Sequence, residues 1–186
     1  RVVDSRIIVS HIRCPLSGGA HAAHNHPFSL SFLDHVWLFV HVGVVDRIEG
    51  YQTSNEPRIG VDVYPARVFE YLRDQLAGSL RYTYYESLGR SLVKSIRKML
   101  SEYPGHYAFF LANESVPFAF SNFRPLMLLR ESDSYGNSLV LTSIREGLSD
   151  KEWTAIKPEE NSLGKLIVVA GPDVLYLGDV AEGSLA

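Results

Sequence analysis

Six of the seven histidines fall between His11 and His41, and three of them form the run His21-x-x-His24-x-His26. Imidazole is a common metal ligand, and a zinc site would need three or four such groups converging on one ion. No carboxylate lies inside the run, and the glycine-rich approach Pro15-Leu16-Ser17-Gly18-Gly19-Ala20 fixes no ligand geometry. These features weigh against a metal site, and a His-cluster metal protein stands only as a secondary alternative. Cys14 is the only cysteine and follows Arg13. A neighbouring guanidinium favours the thiolate and hence nucleophilic chemistry, while a lone cysteine at a strand end serves equally as a small buried filler. Arg90, Lys94, Arg97 and Lys98 form a basic stripe that reads either as a docking surface for anions or as a solvated helix face.

These groups need elements to hold them. The β-branched run Ile7 to Ile12 predicts a strand that delivers Arg13 at its end. Pro15 to His21 is a flexible connection. Val36 to Val45, rich in valine and aromatics, predicts a buried strand interrupted near its end by His41 and Gly43. Gly50 to Gly60 is polar, contains Pro57 and predicts a loop. Pro65 suits a first helical turn, and Val68, Leu72 and Leu76 at spacing four predict a helix over about Tyr64 to Gln75. Tyr84, Leu88, Leu92, Ile96 and Leu100 predict a second helix over about Leu80 to Tyr103. After Pro104-Gly105 the pattern becomes short strands, at Tyr107–Asn113, Pro117–Asn122, Leu126–Arg130, Ser138–Ser143, Lys165–Ala170 and Val174–Gly178. The last two flank the hairpin-type turn Gly171-Pro172-Asp173. Two consecutive helices between two groups of strands predict facing sheets with helices outside them, an α+β architecture.

Composition bounds the rest. The chain of 186 residues predicts one domain, with 46% apolar and 21% charged residues, ordinary for a globular protein. Net charge is −3: the first sixty residues balance five basic against five acidic, residues 61–100 hold seven against four, and the remainder six against twelve. No single-sign field exists, so phosphate neutralisation and nucleic-acid binding gain no support. No run approaches the roughly eighteen apolar residues that span a bilayer, which argues against a membrane partner. One cysteine excludes an internal disulfide and any multi-cysteine metal site, and it fits a reducing, cytoplasmic setting. The start Arg1-Val2-Val3-Asp4 is neither a signal peptide nor an initiator methionine, so processing or an upstream segment is expected.

The order of the pieces carries a resemblance. A strand with Arg13, a loop, Asn25-His26-Pro27-Phe28, a strand with His41-Val42-Gly43, then a loop to Asp62 before a helix resembles the class II glutamine amidotransferase domain. It is most similar to the small stand-alone members related to gamma-glutamyl hydrolases. The likeness extends to Ser143–Trp153, "SIREGLSDKEW", and a closing hairpin, and so covers nearly the whole chain.

The resemblance implies the four-layer αββα sandwich of N-terminal nucleophile hydrolases, here incomplete at its start. It implies hydrolysis of glutamine or a related gamma-glutamyl amide through a thioester on an N-terminal cysteine, whose own α-amino group is the base. It implies no cofactor, a small-molecule substrate, and either a homodimer or an N-terminal segment supplied as a separate piece. Carried across by position, Arg13 matches the arginine that grips the substrate α-carboxylate, and a planar guanidinium suits that task. Asp62 matches the aspartate for the α-ammonium, His26 and Phe28 the pocket wall, and Gly43 the glycine whose backbone N–H faces the oxyanion. The pattern departs at Val42, where the family has an asparagine whose amide is the second oxyanion donor. Losing one such donor costs about 10²–10³ in rate. The nucleophile and first strands are expected upstream of Arg1, because a guanidinium stays protonated and cannot attack. A catalytically inactive amino-acid-binding or regulatory homologue is the alternative the departure at Val42 favours.

Overall fold

A computed structural model describes residues 5–12, 26–61, 63–79, 85–133, 136–144 and 151–181. Alternation of apolar and polar side chains builds its main sheet. Strands β1 (Phe28–Phe32), β2 (His35–Val42), β3 (Ala108–Ala112), β4 (Pro117–Ser121), β8 (Ser162–Ala170) and β9 (Asp173–Ala181) form six antiparallel neighbours in the order β1-β2-β3-β4-β8-β9. A smaller sheet of order β6-β5-β7 comprises β5 (Leu126–Asp133), β6 (Gly136–Thr142) and β7 (Thr154–Ile156).

One face of the six-stranded sheet meets the helices α1 (Tyr64–Ser79) and α2 (Tyr85–Glu102). Trp37, Phe39, Phe109, Phe118 and Phe120 from the strands pack there with Val68, Phe69, Leu72 and Leu76 of α1 and Leu88, Leu92 and Ile96 of α2. All twelve of these are almost wholly buried, and each such side chain contributes about 1.5–3 kcal/mol of burial free energy. The opposite face presents Ala119, Ile167 and Val169, with Phe110 beside them, to Leu126, Leu128 and Ile156 of the smaller sheet. The described layers are thus helices, sheet and sheet, an α+β sandwich as expected. A second outer helical layer does not occur among the described residues.

The helices and most strands lie where the sequence predicts them, and the hairpin turn at Gly171-Pro172 joins β8 to β9 as expected. Two further strands, β1 and β7, add to those the sequence predicts. The β1–β2 hairpin turns through Leu33 and Asp34, both at positive φ (52° and 61°), as a two-residue turn between twisted strands requires.

The strand predicted over Ile7 to Ile12 is absent: these residues form no ladder with any described strand. Exposure still alternates along them, with Ile8 and Ile12 facing solvent. Residues 6–10 lie against Phe110, Leu139 and Val169 at the margin between the sheets, around a cavity of about 140 Å³. Propensity supplied an extended chain, but a strand also needs ladder hydrogen bonds to a neighbour, and residues 7–12 make none with any described strand.

Candidate functional site

Register brings several chemically interesting residues to one end of the large sheet. Val42 closes β2 opposite Ala108, which opens β3 opposite Ser121, the last residue of β4. Because Phe28 pairs with Phe39, His26 precedes β1 at that same end.

Gly43 leaves β2 with φ 143°. A Cβ there would overlap the carbonyl oxygen of His106, so the left-handed conformation and the close approach both demand glycine. The chain beyond it is strapped to residues 104–107. The His106 N–H donates to the Val44 carbonyl (2.7 Å), and the Asp46 N–H donates to the Pro104 carbonyl (3.0 Å). Asn122 secures the other side of the strap. Its Nδ2 donates to the Gly105 carbonyl (2.9 Å), and its Oδ1 accepts the Tyr107 N–H (2.7 Å). The Gly43 backbone is therefore fixed rather than free to adapt.

His41 alternates with Trp37 and Phe39 on the helix face and is only 3% exposed. Its ring stacks on Phe39 (6.3 Å between centroids) and meets Tyr64 (6.0 Å) and Tyr107 (5.5 Å) edge-on. Burial is the main reason its pKa falls to about 3. The charge of His26 and, less strongly, that of His11 push the same way, and the nearby His106 backbone only partly opposes them. His41 is thus a neutral imidazole at any physiological pH. His26 in turn lies 4.7 Å from Phe28 and 4.3 Å from His11, ring centre to ring centre.

Among the residues expected at the site, His26, Phe28, Val42 and Gly43 are described, and all lie at this sheet end. Phe28 is buried in the helix-side core, whereas Val42 and His26 are half-buried. Arg13, Cys14, His21, His24 and Asp62 lie outside the described residues. The histidines brought together are His11, His26 and His41, and among the described residues no group of three His, Cys, Asp or Glu side chains is arranged to hold a metal ion. The contact of His41 with Tyr64 joins the Val42-Gly43 strand end to the start of α1, two residues beyond Asp62. Val61 and Val63, on either side of Asp62, also pack against the helix-side core. Beside them, Thr53, Ile59, Gly60, Val61 and Arg67 border a cavity of about 250 Å³.

The sequence alone did not single out His41, although its alternation with Trp37 and Phe39 was the available signal. Nor did it single out Glu70 and Arg73 of α1, buried charges within the apolar spacing of Val68, Phe69, Leu72 and Leu76.

Comparison with known proteins bears on this geometry. A family model described as "Glutamine amidotransferases class-II" matches residues 1–143. No curated protein sequence matches the chain. The fold resembles a predicted glutamine amidotransferase from Pseudomonas aeruginosa PA01, with a TM-score of 0.62 and 17% identity over 83% of this chain. It also resembles a glutamine aminotransferase class-II domain protein from Silicibacter pomeroyi, with a TM-score of 0.55 and 12% identity, covering 89% of this chain and 74% of that one. Glutamine phosphoribosylpyrophosphate amidotransferase from B. subtilis gives a TM-score of 0.51 at 14% identity over 85% of this chain. The chain spans 66% of the length of the Pseudomonas protein and 32% of that of the B. subtilis enzyme.

Proposed function

The chain belongs to the class-II glutamine amidotransferases, and from that premise we propose that its residues 1–186 form one amidotransferase-like domain that binds glutamine or a related gamma-glutamyl amide. The observation that carries this reading is the ring contact between His41 and Tyr64, which joins the Gly43 strand end to the segment that flanks Asp62. Those are the two parts that must meet if one amide is held at both ends.

In this reading Arg13 grips the α-carboxylate with two of its guanidinium N–H donors and Asp62 accepts from the α-ammonium. His26 and Phe28 form the pocket wall, and the backbone N–H of Gly43 faces the oxyanion that develops on the amide carbonyl. The strap of residues 104–107 supports that last role, because a donor stabilises developing charge best when it need not reorganise. In a protein that also carries the family's N-terminal cysteine, the thiolate attacks the carbonyl, ammonia leaves and water later cleaves the thioester. The cytoplasm, where thiols stay reduced, suits such chemistry.

Val42 favours a second reading, an amino-acid-binding protein without turnover, because its side chain offers the oxyanion no donor.

Calorimetric titration of the chain with L-glutamine tests the binding site common to both readings. The expected result is saturable binding that Arg13→Ala and Asp62→Asn each weaken by about tenfold or more, the effect of one charge-assisted hydrogen bond. Absence of glutamine binding, or binding indifferent to both substitutions, overturns it.

A further inference from the structure

The face of α1 that meets the 51–61 segment carries charge where packing alone would place apolar side chains. Glu70 is fully buried and Arg73 is 2% exposed. Buried charges persist only where partners replace the lost water, so what these two hold is informative.

Glu70 uses both carboxylate oxygens. One accepts the Ile59 N–H at 2.8 Å and the other accepts Arg67 Nη1 at 2.7 Å. Arg73 is spread over the same loop: Nη1 donates to the Pro57 carbonyl (2.8 Å), and Nη2 donates to Thr53 Oγ1 (3.1 Å) and the Asn55 carbonyl (3.2 Å). Its Nε donates to Asp74 Oδ1 (2.5 Å), and Asp74 also accepts from Tyr51 Oη (2.6 Å) and Asn55 Nδ2 (2.9 Å). Burial alone would raise the Asp74 pKa. Hydrogen bonds from Thr53, Tyr51 and Asn55, with the Arg73 charge, outweigh it and keep the carboxylate ionised.

Apart from Arg67 and the Arg73–Asp74 pair, every partner lies in the loop. The loop is an irregular segment without strand partners, and yet Thr53, Asn55, Pro57 and Ile59 are each pinned. Ile59 stands three residues before Asp62. On the far side, the Val63 carbonyl accepts the N–H groups of Ala66 and Arg67 at 3.0 and 3.2 Å. The segment before Asp62 is thus held by side chains of α1, and Val63, just after it, by the backbone of the first turn of the same helix.

We propose that Glu70 and Arg73 are positioning residues for recognition of the substrate α-ammonium, acting through the backbone of Thr53 to Val61 to fix the approach to Asp62. This rests on the amino-acid-site reading above. It differs from a merely structural role in predicting a selective loss: a slackened loop weakens the contact to the ammonium and leaves the rest of the ligand untouched.

The full chain is titrated with L-glutamine and with glutaramate, which keeps the carboxylate and the amide but lacks the α-amino group. Wild type is expected to prefer glutamine. Glu70→Ala is expected to reduce that preference by about tenfold through weaker glutamine binding alone. Glu70→Gln, whose amide oxygen can still accept the Ile59 N–H, is expected to retain most of it. Arg73→Lys keeps the charge but cannot fork between Pro57, Thr53 and Asn55, and it gives an independent variant should Glu70→Ala fail to fold. An equal loss for both ligands, or an unchanged preference in a folded variant, overturns the proposal. If wild type binds neither ligand, the amino-acid-site reading itself falls, which is a different failure.

Discussion

The carbonyl oxygen of His106 fills the space where a side chain on Gly43 would begin. Two chain segments some sixty residues apart are thereby pressed backbone to backbone at the end of the central sheet. The Gly43 conformation is set by what it touches, and a group so held can present its N–H in one direction only.

Gly43→Ala must therefore bear both a left-handed backbone and displacement of the His106 peptide. Each strained backbone position costs about 1–3 kcal/mol, and the overlap adds to it, so a loss of about 2–4 kcal/mol is expected. Urea denaturation of both forms measures this. A difference within about 0.5 kcal/mol, the range of an ordinary surface substitution, would show that the contact is loose.

Asn122 holds the other side of the same strap, and removing its amide should loosen Gly43 without touching the ligand. Asn122→Ala leaves the Gly105 carbonyl and one bond to the Tyr107 N–H unmade, at a cost of about 1–3 kcal/mol. In a protein that carries the N-terminal cysteine the expected kinetic signature is a lower kcat with little change in KM, because the oxyanion exists only in the transition state. A rise in KM alone would place Asn122 in substrate binding instead.

Acid sensitivity follows from His41. Its folded pKa of about 3 lies below the ordinary value of 6.5, so between those limits the unfolded chain binds a proton that the native protein refuses. Stability is complete above pH 6.5 and falls on acidification, by up to about 1.4 kcal/mol per pH unit from this group. The ring is enclosed by Phe39, Tyr64 and Tyr107, with His26 and His11 as the charged neighbours, and a second aromatic ring fits the same stack. His41→Phe should consequently gain about 2–3 kcal/mol relative to wild type between pH 7 and pH 4.5. Parallel stability curves for the two proteins across that interval would refute the assignment.

Local pattern made much of the fold legible in the sequence. Both helices announced themselves through Val68, Leu72 and Leu76 and through Leu88, Leu92 and Ile96, all of which are fully or almost fully buried. Strand β1 was legible in principle, since Phe28-Ser29-Leu30-Ser31-Phe32 alternates buried and exposed without a break. The family likeness, by contrast, marks Phe28 only as pocket wall and says nothing of the strand it opens. The failure over Ile7 to Ile12 has the opposite cause: the residues favour an extended chain, and whether that chain becomes a strand depends on a neighbouring edge that no local pattern encodes. Arg13 and Asp62 have no local signature either, and only the order of the surrounding segments singled them out. The latch of Glu70 and Arg73 needed the three-dimensional packing of α1, because on a helix a charge between apolar positions looks the same whether it is buried or solvated.

Val42 separates a weakened enzyme from a binding protein. Its side chain is half-buried at the very end of β2, opposite Ala108, rather than within the helix-side core. An asparagine there can keep part of its amide in water, so Val42→Asn should cost less than the roughly 1–3 kcal/mol of a polar group buried without partners. If a protein that carries the N-terminal cysteine turns over glutamine, the added amide supplies a second oxyanion donor beside Gly43. One preorganised donor is worth about 10²–10³ in rate at best, so kcat should rise by about 10–10³. KM should move less, because the ground-state carbonyl gains less than the transition state. The measurement pairs glutaminase rate with thermal midpoint for both forms of that protein. A faster enzyme at a nearly unchanged midpoint supports the oxyanion role of this strand end. An unchanged rate at an unchanged midpoint means that another group already supplies the donor, or that the site binds without catalysis. Ammonia release by the unsubstituted protein decides between those two outcomes.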